Sequence, residues 1–94
     1  MDDIFKNKCM YASKLIENPQ THLEGEEIML LVEMVTDVFE YTELNKEKLC
    51  PEFEIFLANF TDFIKNKKQR GRFKDVYYSN HNENNNLTNL LKSN

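Results

Sequence analysis

Glycine and proline are nearly missing from this chain, with two of each in 94 residues. That scarcity argues against the turn-rich composition of a β-sandwich or barrel. Leu, Ile, Met, Glu and Lys are plentiful, so an all-α fold is expected. With Gly25 and Gly71 as the only glycines, no glycine-rich loop can cradle a phosphate as nucleotide enzymes require. Cysteine is equally sparse. Cys9 and Cys50 stand far apart, neither with a second Cys two positions away, so neither a local redox pair nor a zinc knuckle can form. Two free thiols suit a reducing cytosol, with a Cys9–Cys50 disulfide left open.

Other absences narrow the function. His22 and His81 stand in a helix cap and an Asn-rich link, and no Glu-x-x-His or His-x-x-x-His pair sets two ligands on one helical face. No metal or cofactor is expected. Ser13, Ser79 and Ser93 have no neighbouring base or Gly-rich turn, so no catalytic residue can be nominated and a non-enzymatic role is expected. The longest uninterrupted apolar run is Ile28 to Val32, and the start Met-Asp-Asp-Ile-Phe-Lys lacks the features of a signal peptide. A cytoplasmic protein without membrane contact is expected.

What the chain does contain is charge sorted along its length. Residues 1 to 64 hold 14 Asp and Glu against 5 Lys, while residues 65 to 94 hold 7 basic side chains against Asp75 and Glu83. Six of the ten residues from Lys65 to Lys74 are cationic. Polarity of this kind speaks to partners rather than to chemistry.

Apolar spacing divides the chain into helices. Phe5, Cys9, Ala12, Leu15 and Ile16 form one stripe after Asp2 or Asp3, either of which can cap a helix, and Asn18-Pro19 ends it. Thr21-His22-Leu23-Glu24 fits a capping box, which starts the second helix at Thr21. Along that helix Ile28, Leu31, Val32, Val35, Val38 and Phe39 make a face that Met29, Leu30, Met34 and Tyr41 widen beyond the usual arc. The polar link Asn45 to Lys48 precedes Pro51, a residue suited to the first helical position because its missing N–H would be unpaired there. Phe53, Phe56, Leu57, Phe60, Phe63 and Ile64 follow at i, i+3, i+4 spacing. Lys65, Lys67 and Lys68 then fall at the expected negative end of this helix, and Gly71 can take the left-handed conformation that ends helices.

The pattern predicts a small antiparallel bundle of three long helices, over about 3–17, 21–43 and 51–69, with a short fourth helix at about 72–79. Residues 1–79 form the single helical domain, and the Asn-rich segment 80–94 reads as a flexible tail in which Leu87, Leu90 and Leu91 recur at helical spacing.

Two charged constellations are candidates for partner contact. Glu26, Glu33, Asp37 and Glu40 fall on one side of the second helix, at rises of roughly 10, 6 and 4.5 Å along its axis. Such a row can meet a basic groove on a protein partner, against the plain alternative of a solvated helix face. The second constellation is Lys65, Lys67, Lys68, Arg70, Arg72 and Lys74, which can neutralise phosphates, with Phe73, Tyr77 and Tyr78 near enough to stack on unpaired bases. Its plain alternative is helix-end compensation and pairing with local carboxylates. The wide apolar arc adds a homodimer contact through Met29, Leu30, Met34 and Tyr41. The leading expectation is a protein-interaction module, a small regulator or inhibitor of the kind phages and mobile elements encode. It docks the acidic helical face on a macromolecular partner, and the alternative is a nucleic-acid binder working through 65–74.

Overall fold

A computed structural model describes residues 3–18, 22–46, 50–80 and 83–93, which form five helices and no strand. They are α1 (Asp3–Ile16), α2 (Glu26–Leu44), α3 (Pro51–Phe63), α4 (Lys67–Ser79) and α5 (Asn85–Lys92). The all-α expectation therefore holds, with element boundaries that differ in three places.

The first difference is the start of α2. Gly25, at φ 62° and ψ −129°, occupies the N-cap without a side-chain hydrogen bond. A side chain resists this backbone conformation, and a helix cannot run through it. The chain from His22 to Glu24 is therefore non-helical, and Leu23 packs into the core at 1% exposure. Thr21 and the alternative first cap Asp2 lie outside the described residues, as does most of the link before α3. Glu26 and Glu27 occupy the first turn of α2, where the helix dipole favours carboxylates.

The second difference divides the expected 51–69 helix. As expected, α3 opens on Pro51, with Cys50 as its extended N-cap. It closes at Phe63, where Lys65 N–H donates to Asp62 O and Asn66 N–H to Phe63 O, both at 3.2 Å. Asn66 then restarts the chain: its Oδ1 accepts from Lys68 N–H at 3.0 Å and from Gln69 N–H at 3.1 Å, satisfying two free amides of α4. Arg70 Nη1 reaches back 3.0 Å to the Ile64 carbonyl and caps the end of α3. Gly71 consequently lies inside α4 rather than at a helix end.

The third difference is the segment expected to be a flexible tail. Its described part is a helix docked on the bundle, with Leu87 and Leu91 at 0% exposure. Asn84 caps α5 by accepting from Leu87 N–H at 3.0 Å, and Asn86 Nδ2 donates to Glu43 of α2 at 3.1 Å. Burial of two leucines supplies what an eight-residue helix lacks by itself.

Packing follows the apolar faces. α1 lies against α2 and α3, and α2 also contacts α4 and α5, so α2 is the central element. All seven phenylalanines are buried. Phe39 of α2 meets Phe53, Phe56 and Phe60 of α3 edge-on at 6.4–6.5 Å, and Phe73 of α4 joins at 5.2 Å from Phe60. The Cα radius of gyration is 12.3 Å, against about 12.4 Å for a folded domain of this length.

Candidate functional site

The outward side of α2 carries two rows at heptad spacing. One is Glu26, Glu33 and Glu40, all exposed; the other is Leu30, Asp37 and Leu44, of which Leu44 is 85% exposed and Asp37 half-buried. Met29, at 57% exposure, flanks them. Beyond Met29 stands α4, whose Val76, Tyr77 and Asn80 form the opposite wall of a groove of ≈ 660 Å³ lined on the α2 side by Glu26, Met29, Leu30, Glu33, Thr36 and Asp37. Three of the four carboxylates of the predicted acidic face and two of the predicted dimer contacts thus share one groove, with Glu40 continuing the row past it.

The electrostatics of the row are uneven. Lys8 of α1 approaches Asp37 to 2.9 Å, with both side chains 39% exposed, so this carboxylate is paired within the fold. No ion-pair partner appears for Glu26, Glu33 or Glu40 among the described residues. The hydroxyls at the groove are engaged internally. Thr36 Oγ1 donates to the Val32 carbonyl at 2.7 Å, and the Tyr77 hydroxyl is bound by Asn84 and Thr88 of the α5 segment. What the groove offers an occupant is therefore apolar surface edged with negative charge. No cluster of three or more His, Cys, Asp or Glu able to hold a metal ion occurs among the described residues.

The other two expected dimer contacts are committed elsewhere, which corrects the sequence reading. Met34 is 8% exposed and belongs to the core. Tyr41 is half-buried and stacks on Phe5 with ring centroids 4.2 Å apart. Only Met29 and Leu30 of that set remain free to meet a partner.

The basic segment is also rearranged. The helix break at Asn66 moves Lys67 and Lys68 from the expected C-terminal end of one helix to the first turn of α4. There they face the positive end of the helix dipole and cannot compensate it. Lys65 pairs with Asp62 at 3.3 Å, Arg70 is bonded to Ile64, and Arg72 Nη1 lies 3.3 Å from His22 Nδ1. Lys67 and Lys68 are exposed and Lys74 is half-buried. Two of the three aromatics expected to stack on bases are unavailable for that role: Phe73 is 0% and Tyr77 1% exposed, leaving only the half-buried Tyr78.

Sequence reasoning missed the α4 wall of the groove and the Lys8–Asp37 pair. A local signal for the first was present: Asn66 followed three residues later by Gln69 is a helix-start pattern. The second joins residues 29 apart and depends on tertiary packing. The described residues form a five-helix all-α fold with an acidic, partly apolar helix face. The chain matches no protein-family model, no curated protein and no solved structure, and no helix among the described residues is long and apolar enough to cross a membrane.

Proposed function

We propose that this chain is a non-enzymatic protein-interaction module, a small regulator or inhibitor that docks the acidic face of α2 on a macromolecular partner. The observation that supports the reading is the convergence of Glu26 and Glu33 with the exposed Met29 and Leu30 on one groove. Exposed apolar side chains between like-charged residues that have no ion-pair partner among the described residues suit a surface completed by another molecule.

The test compares two charge-reversed variants in affinity capture from the native host. Glu26→Lys plus Glu33→Lys abolishes capture of a specific protein that wild type retains, while Lys67→Glu plus Lys68→Glu retains it. The opposite pattern overturns the reading in favour of the basic segment. A nucleic-acid reading keeps one specific support, the placement of Lys67 and Lys68 on the positive end of α4. It predicts a mobility shift of nucleic acid at low salt that the Lys67→Glu, Lys68→Glu variant loses and that weakens steeply with added salt.

A further inference from the structure

Resting on the acidic-face reading, we infer that the groove between α2 and α4 seats a cationic amphipathic helix of a protein partner. The occupant follows from what the groove can bond. Met29, Leu30 and Val76 in its lining take apolar side chains, and Glu26 and Glu33 in the same lining repel anions. A nucleic acid or an acidic peptide is therefore a poor occupant, and a neutral apolar one leaves the glutamates unused. Lysine and arginine satisfy both surfaces, because their aliphatic stems can lie on Met29 and Leu30 while their charged heads stay at the wet rim.

The spacing adds a helix to that chemistry. Glu26, Glu33 and Glu40 recur once per heptad and span roughly 21 Å along α2. A helix packed alongside keeps the same repeat in register, so one cationic residue per heptad on the occupant meets each glutamate in turn. Asp37, in the neighbouring row with Leu30 and Leu44, carries a carboxylate already bound by Lys8. The occupant is accordingly cationic opposite Glu26, Glu33 and Glu40 and uncharged opposite Asp37, which distinguishes it from a merely basic segment.

A second copy of this chain fits less well. A two-fold axis through Met29 and Leu30 would oppose two identical glutamate rows, and a symmetric contact has no means of offsetting like charges with the same patch. Cationic residues have to come from elsewhere.

The test uses a hydrocarbon-stapled synthetic helix with a Leu seam and one Lys per heptad. Its controls are a stapled scramble of equal charge and a version with Glu in place of Lys. The folded, full-length chain is titrated by fluorescence anisotropy and by backbone amide NMR. Saturable one-to-one binding is expected, with amide shifts centred on Met29, Leu30, Glu33 and Val76. Affinity should be at least ~10-fold above both controls and fall by at least ~10-fold in Glu26→Lys plus Glu33→Lys. Leu30→Asn should weaken binding without changing its salt dependence.

Equal affinity for the scramble, or shifts that map away from α2 and α4, overturns the helix seat but leaves the acidic face intact as a purely electrostatic surface. If no peptide binds, the seat also falls. The acidic-face reading is then judged separately, by whether Glu26→Lys plus Glu33→Lys loses the captured host protein. Self-association in sedimentation that Leu30→Asn abolishes, with no effect of the peptide on it, assigns the groove to a second copy and ends the proposal.

Discussion

The hydroxyl of Tyr77 on α4 holds the backbone of Asn84 from both sides. Asn84 N–H donates to it at 2.6 Å, and it reaches the Asn84 carbonyl at 3.1 Å and Thr88 Oγ1 at 2.9 Å. Both residues are buried, at 1% and 5% exposure. One phenol thus fixes the entry into α5, while the Asn84 side chain caps the same helix. Tyr77 also lines the α2/α4 groove, so the position of α5 and the shape of the candidate site share a side chain.

Tyr77→Phe keeps the ring in the core and removes these bonds, leaving a buried Asn84 N–H without its partner. The expected cost is about 1–3 kcal/mol, seen as a lowered midpoint in urea. Hydrogen exchange localises the effect: amides of residues 87–92 lose protection in Tyr77→Phe while those of α1 and the middle of α2 keep theirs. A uniform loss across all helices would show that α5 is not a separately docked unit.

The two glycines predict opposite signs for one substitution. Gly25 has φ 62° and open space where a methyl group would stand, so Gly25→Ala meets backbone strain alone. It should destabilise by about 1–2 kcal/mol. Gly71 is helical, and a Cβ there also meets nothing within 4 Å; Gly71→Ala should stabilise by about 0.4–1 kcal/mol through helix propensity and unfolded-state entropy. Paired denaturation curves check both. Destabilisation by Gly71→Ala would place the helix end where the sequence pattern first suggests it.

Cys9 is at 0% exposure, and burial, followed by the nearby Cys50 and Glu52, pushes its thiol up from 9.0 to about 12. At pH 8, iodoacetamide should label the half-buried Cys50 in the native protein and reach Cys9 only after unfolding. The same shift has a pH consequence. The folded state holds the proton that the unfolded chain loses above about pH 9, so the contribution is whole below that value. It is lost as pH rises towards about 12, at no more than ~1.4 kcal/mol per unit. The difference between wild type and Cys9→Ala, followed from pH 8 upward, isolates this slope from the lysines and tyrosines that titrate nearby. A difference that stays flat with pH would show that Cys9 is open to solvent.

The contrast between what was legible and what was not has a physical origin. The start of α3 could be read because Pro51 and two early glutamates act locally, and its apolar stripe fills a single face. Past Ile64 that stripe lapses: continued helical spacing would put Lys67 and Gly71 inward, and burial resumes only at Gln69, Phe73 and Tyr77. The phase slip marks the break, but the run of lysines looks like an ordinary helix end and masks it. Thr21-x-x-Glu24 misled for the opposite reason, since a valid local pattern yields to the left-handed Gly25 and to burial of Leu23. Helix periodicity was enough to put Glu26, Glu33 and Glu40 on one exposed side. The groove beside them required the placement of α4, and the neutralised state of Asp37 required Lys8 from another helix.

Lys67 and Lys68 offer a sign test of that break. If α3 continued through residue 69, both lysines would stabilise its negative end, and reversing them would cost stability. With α4 beginning at Lys67 and capped by Asn66, the same residues oppose the dipole, so Lys67→Glu plus Lys68→Glu should stabilise by roughly 0.3–1 kcal/mol for each site at low ionic strength. The gain should shrink in added salt, because both positions are exposed and screened. Thermal unfolding at two salt concentrations measures it. A stabilised variant also sharpens the functional comparison: loss of a nucleic-acid shift on this background cannot be attributed to unfolding, and retention of the protein partner leaves the α2 face as the surface that binds it.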